Sequence, residues 1–177
     1  MKVEKTKLDG VLVITPETFE DERGFFLESF NKDRYRKAGI KFDFVQDNHS
    51  RSTKGVLRGL HYQIIKPQGK LVRVVKGEVF DVAVDIRKGS KTYGQWEAKV
   101  LSEKNKTQFW VPPGFAHGFI VLSETADFEY KCTDYYDPSD EGSLLWNDPD
   151  LDIDWPIKNP ILSKKDSNAL KLIDLKR

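Results

Sequence analysis

Two stretches of this chain bring an imidazole together with cations, glycines or a proline turn. The first is Gly55-Val56-Leu57-Arg58-Gly59-Leu60-His61-Tyr62-Gln63, where a guanidinium and an imidazole stand three residues apart between glycines. An imidazole titrates near neutrality and exchanges protons with little tuning, whereas a guanidinium stays charged and suits phosphate oxygens. On a regular strand this spacing turns Arg58 and His61 to opposite faces, so both serve one site only if the glycines bend the chain. Taken alone, the stretch fits a structural histidine and a solvated arginine equally well. The second is Trp110-Val111-Pro112-Pro113-Gly114-Phe115-Ala116-His117-Gly118-Phe119, a strand and a proline turn with a histidine entering the next strand. Cys132, flanked by Tyr130-Lys131 and Thr133, is the sole cysteine. It reads as a small hydrophobe in a strand rather than a nucleophile.

The elements that must hold these groups are mostly strands. Val11, Val13 and Ile14 favour extended chain, and Pro16 and Gly24 punctuate the region. Asn31 is placed to cap a short helix through Ala38, stopped at Gly39. From Leu71 to Ile86 the alternation is clear, with Phe80, Val82, Val84 and Ile86 on one face and Val79, Asp81, Ala83 and Asp85 on the other. Gly77 interrupts that run and predicts a hairpin. Further strands are expected at 96–101, 107–111, 118–122 and 128–133, which together predict a mainly β antiparallel sandwich or barrel with a few short helices. After Trp146 the chain reads as an irregular wrap over this framework, followed by a short helix from Lys165.

Length and composition narrow the class. A chain of 177 residues suits one domain spanning 1–177, and 32% charged residues leave no apolar run of bilayer length. The N-terminus lacks a signal-peptide core, so a cytoplasmic address is expected. A formal net charge of +1 gives no reason to expect nucleic acid or a membrane surface as partner, and any anionic ligand must be met by a local cluster. The aromatic share of 12%, with four Trp, suits a protein that stacks rings against a ligand.

The second stretch resembles the second characteristic motif of cupins. Together the stretches resemble a narrower group, the dTDP-4-dehydrorhamnose 3,5-epimerases and related sugar-nucleotide epimerases. The likeness runs through Asp21-Glu22-Arg23-Gly24-Phe25-Phe26, Gln46-Asp47-Asn48-His49-Ser50, residues 55–63 and Gln68-Gly69-Lys70-Leu71-Val72-Arg73. It continues through residues 81–87, residues 113–119, Glu129-Tyr130-Lys131 and Trp146-Asn147-Asp148-Pro149. It implies a cupin-type β-sandwich or jelly roll, and epimerisation at C3 and C5 of dTDP-4-dehydro-6-deoxy-D-glucose without metal or redox cofactor. The product, dTDP-4-dehydro-L-rhamnose, would feed dTDP-rhamnose and polysaccharide biosynthesis.

Both carbons flank the C4 ketone, so their protons become removable once the enolate oxygen is stabilised. His61 suits the base. The resemblance implies Asp166 as its hydrogen-bond partner, Lys70 as stabiliser of the enolate oxygen and Tyr130 as the acid on the opposite face. Without it, Asp166 reads as a helix N-terminal carboxylate, Lys70 as an exposed strand lysine and Tyr130 as a strand aromatic. Arg23 and Arg58 are candidates for the diphosphate. The family pattern adds Glu28, Gln46, Asp47 and Asn48 around base and sugar, His117, Glu141 and Lys165 nearer the pyranose, and Phe26 stacked on the thymine. It also implies a homodimer with exchanged N-terminal strands, in which Arg23 and Glu28 complete the partner's site.

Three rivals stand beside this reading. A metal-binding cupin would place a second histidine after His61, where the chain has Tyr62 and Gln63, leaving only His49 and His117 as further imidazoles. A mono-epimerase or ketoisomerase would use the same groups with a different sugar pose. A nucleotide-sugar-binding cupin without turnover would keep Arg23 and Arg58 but have no need of His61, Lys70, Asp166 and Tyr130 as a set. One departure from the family is Ser167-Asn168-Ala169-Leu170, which lacks the proline expected there.

Overall fold

Strands form where β-branched and aromatic residues alternate with polar ones. The computed structural model describes residues 1–175. Its strands are β1 (Lys2–Lys5), β2 (Leu12–Thr15), β3 (Thr18–Asp21), β4 (Gly24–Leu27), β5 (Gln46–Thr53), β6 (Leu57–Gln63) and β7 (Lys70–Lys76). They continue as β8 (Glu78–Asp85), β9 (Trp96–Ser102), β10 (Gln108–Val111), β11 (Phe115–Val121), β12 (Thr125–Cys132) and β13 (Glu141–Ser143). Two short helices, α1 (Lys32–Lys37) and α2 (Lys164–Ser167), and a 3-10 turn (Leu172–Asp174) complete the secondary structure.

Two antiparallel sheets face each other. One is six-stranded in the order β1-β2-β10-β7-β12-β5, the other five-stranded in the order β13-β6-β11-β8-β9. The expected mainly β fold is therefore observed. Between the sheets lie Val72, Val74, Phe109 and Phe128 from the first and Val79, Ala83, Phe115 and Phe119 from the second. The rings of Phe119 and Phe128 stack across the sandwich with centroids 4.0 Å apart. Each such buried Val or Phe side chain contributes about 1.5–3 kcal/mol.

The other face of β8 and β11 carries Val82, Val84 and Ile120, covered by Leu144, Leu151 and Trp155 of the irregular C-terminal stretch. That wrap is anchored by the indole nitrogens of Trp96 and Trp155, which donate to the carbonyls of Leu151 and Trp146. Helix α1 begins as expected, with the Asn31 side chain accepting from Arg34 N, and Gly39 follows its C-cap at φ +110°. It covers the outer face of the first sheet through buried Tyr35, whose hydroxyl donates to Gln108 at 2.8 Å.

One expectation is corrected. Gly77 makes no hairpin, because β7 and β8 belong to different sheets. The glycine, at φ +79°, turns the chain from one layer to the other, and a Cβ there would run into the Thr125 carbonyl. Alternation alone does not distinguish strands that pair from strands that face each other.

The stripe Val79, Asp81, Ala83, Asp85 points inward, so two carboxylates are buried in the sandwich. Asp85 accepts from Arg87 N, Nε and Nη2 and from the hydroxyls of Ser90 and Thr92, all within 2.6–2.9 Å. Burial by itself would raise this carboxyl, but these donors outweigh it and hold the value down at about 2. A depressed carboxyl stabilises the fold above the ordinary Asp value, roughly pH 4, and that contribution is lost as the pH falls through the folded value. Asp85→Ala is thus expected to lower unfolding free energy by about 2–3 kcal/mol at neutral pH. Denaturant midpoints should show the gap to wild type closing in strong acid, and a gap independent of pH would contradict this account.

Candidate active site

The pairing of β6 with β11 explains how Arg58 and His61 reach one side. His61 stands opposite His117 and Arg58 opposite Phe119, so three steps along β6 match two along β11. The extra residue is a bulge. It falls at Gly59, where φ is +132° and a Cβ would press on the backbone of His117 and Gly118. The glycine bend posed as a condition by the sequence is therefore present.

Both side chains line a cavity of about 350 Å³ between the two sheets. Gln46 and Asn48 of β5, Lys70 of β7, His117 of β11, Tyr130 of β12 and Glu141 of β13 share it, with Tyr136 from the loop before β13. His61 Nε2 lies 2.6 Å from Asp166 Oδ1, and that carboxylate is 3% exposed. Helix α2 delivers it, with Asp166 N donating to Ser163 Oγ at 3.1 Å. Burial works to raise Asp166, but the His61 hydrogen bond and charge, with Ser163, outweigh it and keep the carboxyl below the usual range. With Nε2 engaged by Asp166, Nδ1 is the nitrogen left for the cavity, where the Glu141 carboxylate is 4.0 Å away. Glu141 is itself held by Lys165 Nζ at 2.6 Å and the Tyr136 hydroxyl at 3.0 Å.

Burial, with Cys132 and Glu141 adding to it and Arg58 opposing, pushes the Tyr130 phenol up to about 12. The group therefore keeps its proton at neutral pH and is available as an acid. Lys70 Nζ lies 6.0 Å from the Tyr130 ring centroid. Desolvation pulls its ammonium below the usual lysine range, against support from Cys132, Glu141 and Asp81. Arg58 is exposed at the rim, its Nε donating to Ser52 Oγ at 3.0 Å. The cavity brings together an imidazole, a phenol that keeps its proton and a cation, residue types that proton removal beside a carbonyl can use.

Not every expected residue meets here. Period-2 alternation turns Asp47 to the outer face of β5, where it pairs with Lys131 at 2.9 Å. His49 shares that face and lies 3.7 Å from Asp127, so the three histidines do not converge. Glu28 is taken up by Arg34 and Asn31 of the α1 region. Arg23 and Phe26 sit on the β3–β4 hairpin, a separate two-stranded sheet, with Arg23 paired to Asp21 and Phe26 69% exposed. Conversely, Tyr136, Gln63 and Gln68 line the cavity without having been given a role; Gln63 and Gln68 lie within stretches that carry the family likeness, whereas nothing in the local sequence marks Tyr136. Asp81, which pairs with His117, shares its face of β8 with Asp85 and with the apolar Val79 and Ala83, and alternation alone gave it no role.

The sequence model of the family described as dTDP-4-dehydrorhamnose 3,5-epimerase matches residues 5–174. The chain belongs to this epimerase family. The dTDP-4-dehydrorhamnose 3,5-epimerase of Shigella flexneri is 57% identical over 177 residues, covering 98% of this chain and 97% of that one. The 3,5-epimerase from Legionella pneumophila, solved with dTDP-4-keto-L-rhamnose, superposes with a TM-score of 0.96 at 57% identity, covering 99% of this chain and 94% of that one. A more distant epimerase, a 3'-monoepimerase from Streptomyces bikiniensis in complex with dTDP-quinovose, gives 0.89 at 36% identity, covering 95% and 86%.

Proposed function

We propose that the cavity binds dTDP-4-dehydro-6-deoxy-D-glucose and inverts C3 and C5 to give dTDP-4-dehydro-L-rhamnose. The observation that carries this is His61, backed by Asp166 at 2.6 Å, lining the same cavity as Tyr130 and Lys70. His61 Nδ1 takes the proton from the carbon beside the ketone, and the electron pair moves onto the C4 oxygen. Lys70 meets that developing charge. Tyr130 returns a proton to the opposite face, and solvent restores the protonation of both groups between the two centres. Arg58 at the rim takes a diphosphate oxygen. The exposed Arg23 and Phe26 support a homodimer in which the β3–β4 hairpin of one copy reaches the cavity of the other, and the nucleotide-sugar class supports a cytoplasmic address.

The test is NMR of the substrate with the protein in deuterated water. Deuterium entering both C3 and C5 supports the double reaction. Entry at C3 alone would select the mono-epimerase reading, and binding without any exchange would sink the proposed activity.

The same assay reports on Lys70. A lysine whose ammonium is destabilised by burial loses its charge earlier as pH rises, so activity should fall on the alkaline side below the range of a free lysine. Lys70→Arg, with a guanidinium that stays charged, is expected to move that limb to higher pH while lowering kcat tenfold to a hundredfold through misplacement. A limb left where it was would assign it to another group.

A further inference from the structure

Asp81 is fully buried, and both of its carboxylate oxygens face His117 Nε2, at 2.8 and 3.0 Å. Stability is a weak reason to keep such a pair, because apolar replacements of buried ion pairs are often neutral or better. The contrast with Asp85 on the same inward stripe is informative. Asp85 gathers donors from a turn, whereas Asp81 is hydrogen-bonded, among the described residues, to His117 alone. The His117 ring stacks on Phe128 and lines the cavity. Occupying Nε2 fixes the tautomer and leaves Nδ1 as the nitrogen available to a ligand.

Asp81 and Lys70 stand on facing sheets. Lys70, on the facing sheet, has its charge supported by Cys132, Glu141 and Asp81 and opposed by Lys165. Cys132 is a buried thiol whose own ionisation burial disfavours; burial also pushes the Asp81 carboxyl up, against His117 and Lys70, which favour its charged form. Glu141 is already engaged by Lys165 and Tyr136.

We infer that Asp81 is a positioning residue for the epimerisation, orienting His117 toward the sugar from beneath the cavity and holding Lys70 as an ammonium for the enolate oxygen. The inference rests on the reaction proposed above. Asp81 touches no reacting atom, and its effect passes through two groups that do.

Asp81→Asn in the full chain tests it, because the amide keeps the shape and can still accept from Nε2 but carries no charge. Deuterium wash-in should show kcat reduced tenfold to a hundredfold with KM within about threefold, and the alkaline limb moved to lower pH. In the Lys70→Arg background the limb should no longer respond to Asp81. Asp81→Asn with wild-type kcat and limb overturns the inference, and so does a loss of kcat with the limb unmoved, which would mark Asp81 as a structural prop. A second measurement does not depend on the variant folding: the 13C shift of the Asp81 carboxyl in wild type should be that of a carboxylate at the pH of maximal activity, and a protonated carboxyl there overturns the inference. Absence of exchange in wild type would instead sink the reaction itself.

Discussion

His61→Ala is expected to remove deuterium incorporation at C3 and C5 together, lowering kcat roughly a thousandfold, within the span usual for a lost general base. The case rests on geometry. One ring nitrogen is fixed by a buried, charged Asp166 and the other is left to the cavity. Asp166 orients the ring and stabilises the imidazolium that forms when the proton arrives. Because strand pairing is made by the backbone, removing the His61 side chain leaves the register of β6 against β11 in place, and the variant should fold and still bind nucleotide. Binding is measured by titration with dTDP and exchange by NMR. Exchange that survives at one carbon would mean that a second base serves it.

Tyr130→Phe is expected to separate exchange from inversion. His61 can still remove a proton and return a deuteron to the same face, so label should enter C3 and C5 while the yield of inverted sugar falls about a hundredfold. The phenol is suited to this part because burial keeps it protonated far above neutral pH, so no alkaline limb should trace to it in the working range. Phenylalanine preserves the ring beside Phe128 and Lys70, which keeps the packing loss small. Exchange and inversion falling in parallel would show that Tyr130 is not the opposing acid. A pose effect would appear as a raised KM, since substrate positioning is felt in both ground and transition states.

Much of the fold was legible because its signals are local. Asn31 before a short polar run and Gly39 after it mark a helix through cap geometry, which depends on the neighbouring few residues. Alternation in β8 told which side chains share a face, and the structure turns one set into the sandwich and the other toward the C-terminal wrap. The same alternation could not tell that β7 and β8 lie in opposite sheets, since a glycine turn serves a hairpin and a corner alike.

The site divides the same way. Sequence by itself determined the chemical repertoire: an imidazole and a guanidinium around Gly59, a second histidine after a proline turn, and the family pattern that added Lys70, Tyr130 and Asp166. Only the tertiary structure decided their company. Asp166 lies 105 residues from His61 along the chain and reaches it because the C-terminal segment wraps back across the sheet. Strand parity turned Asp47 outward, with Gln46 and Asn48 on the cavity side, while Tyr136 and Gln63 reached the cavity from separate stretches and Asp81 came to lie against His117. Residue types fix which protons can move, but which residues meet depends on long-range packing that no local pattern encodes.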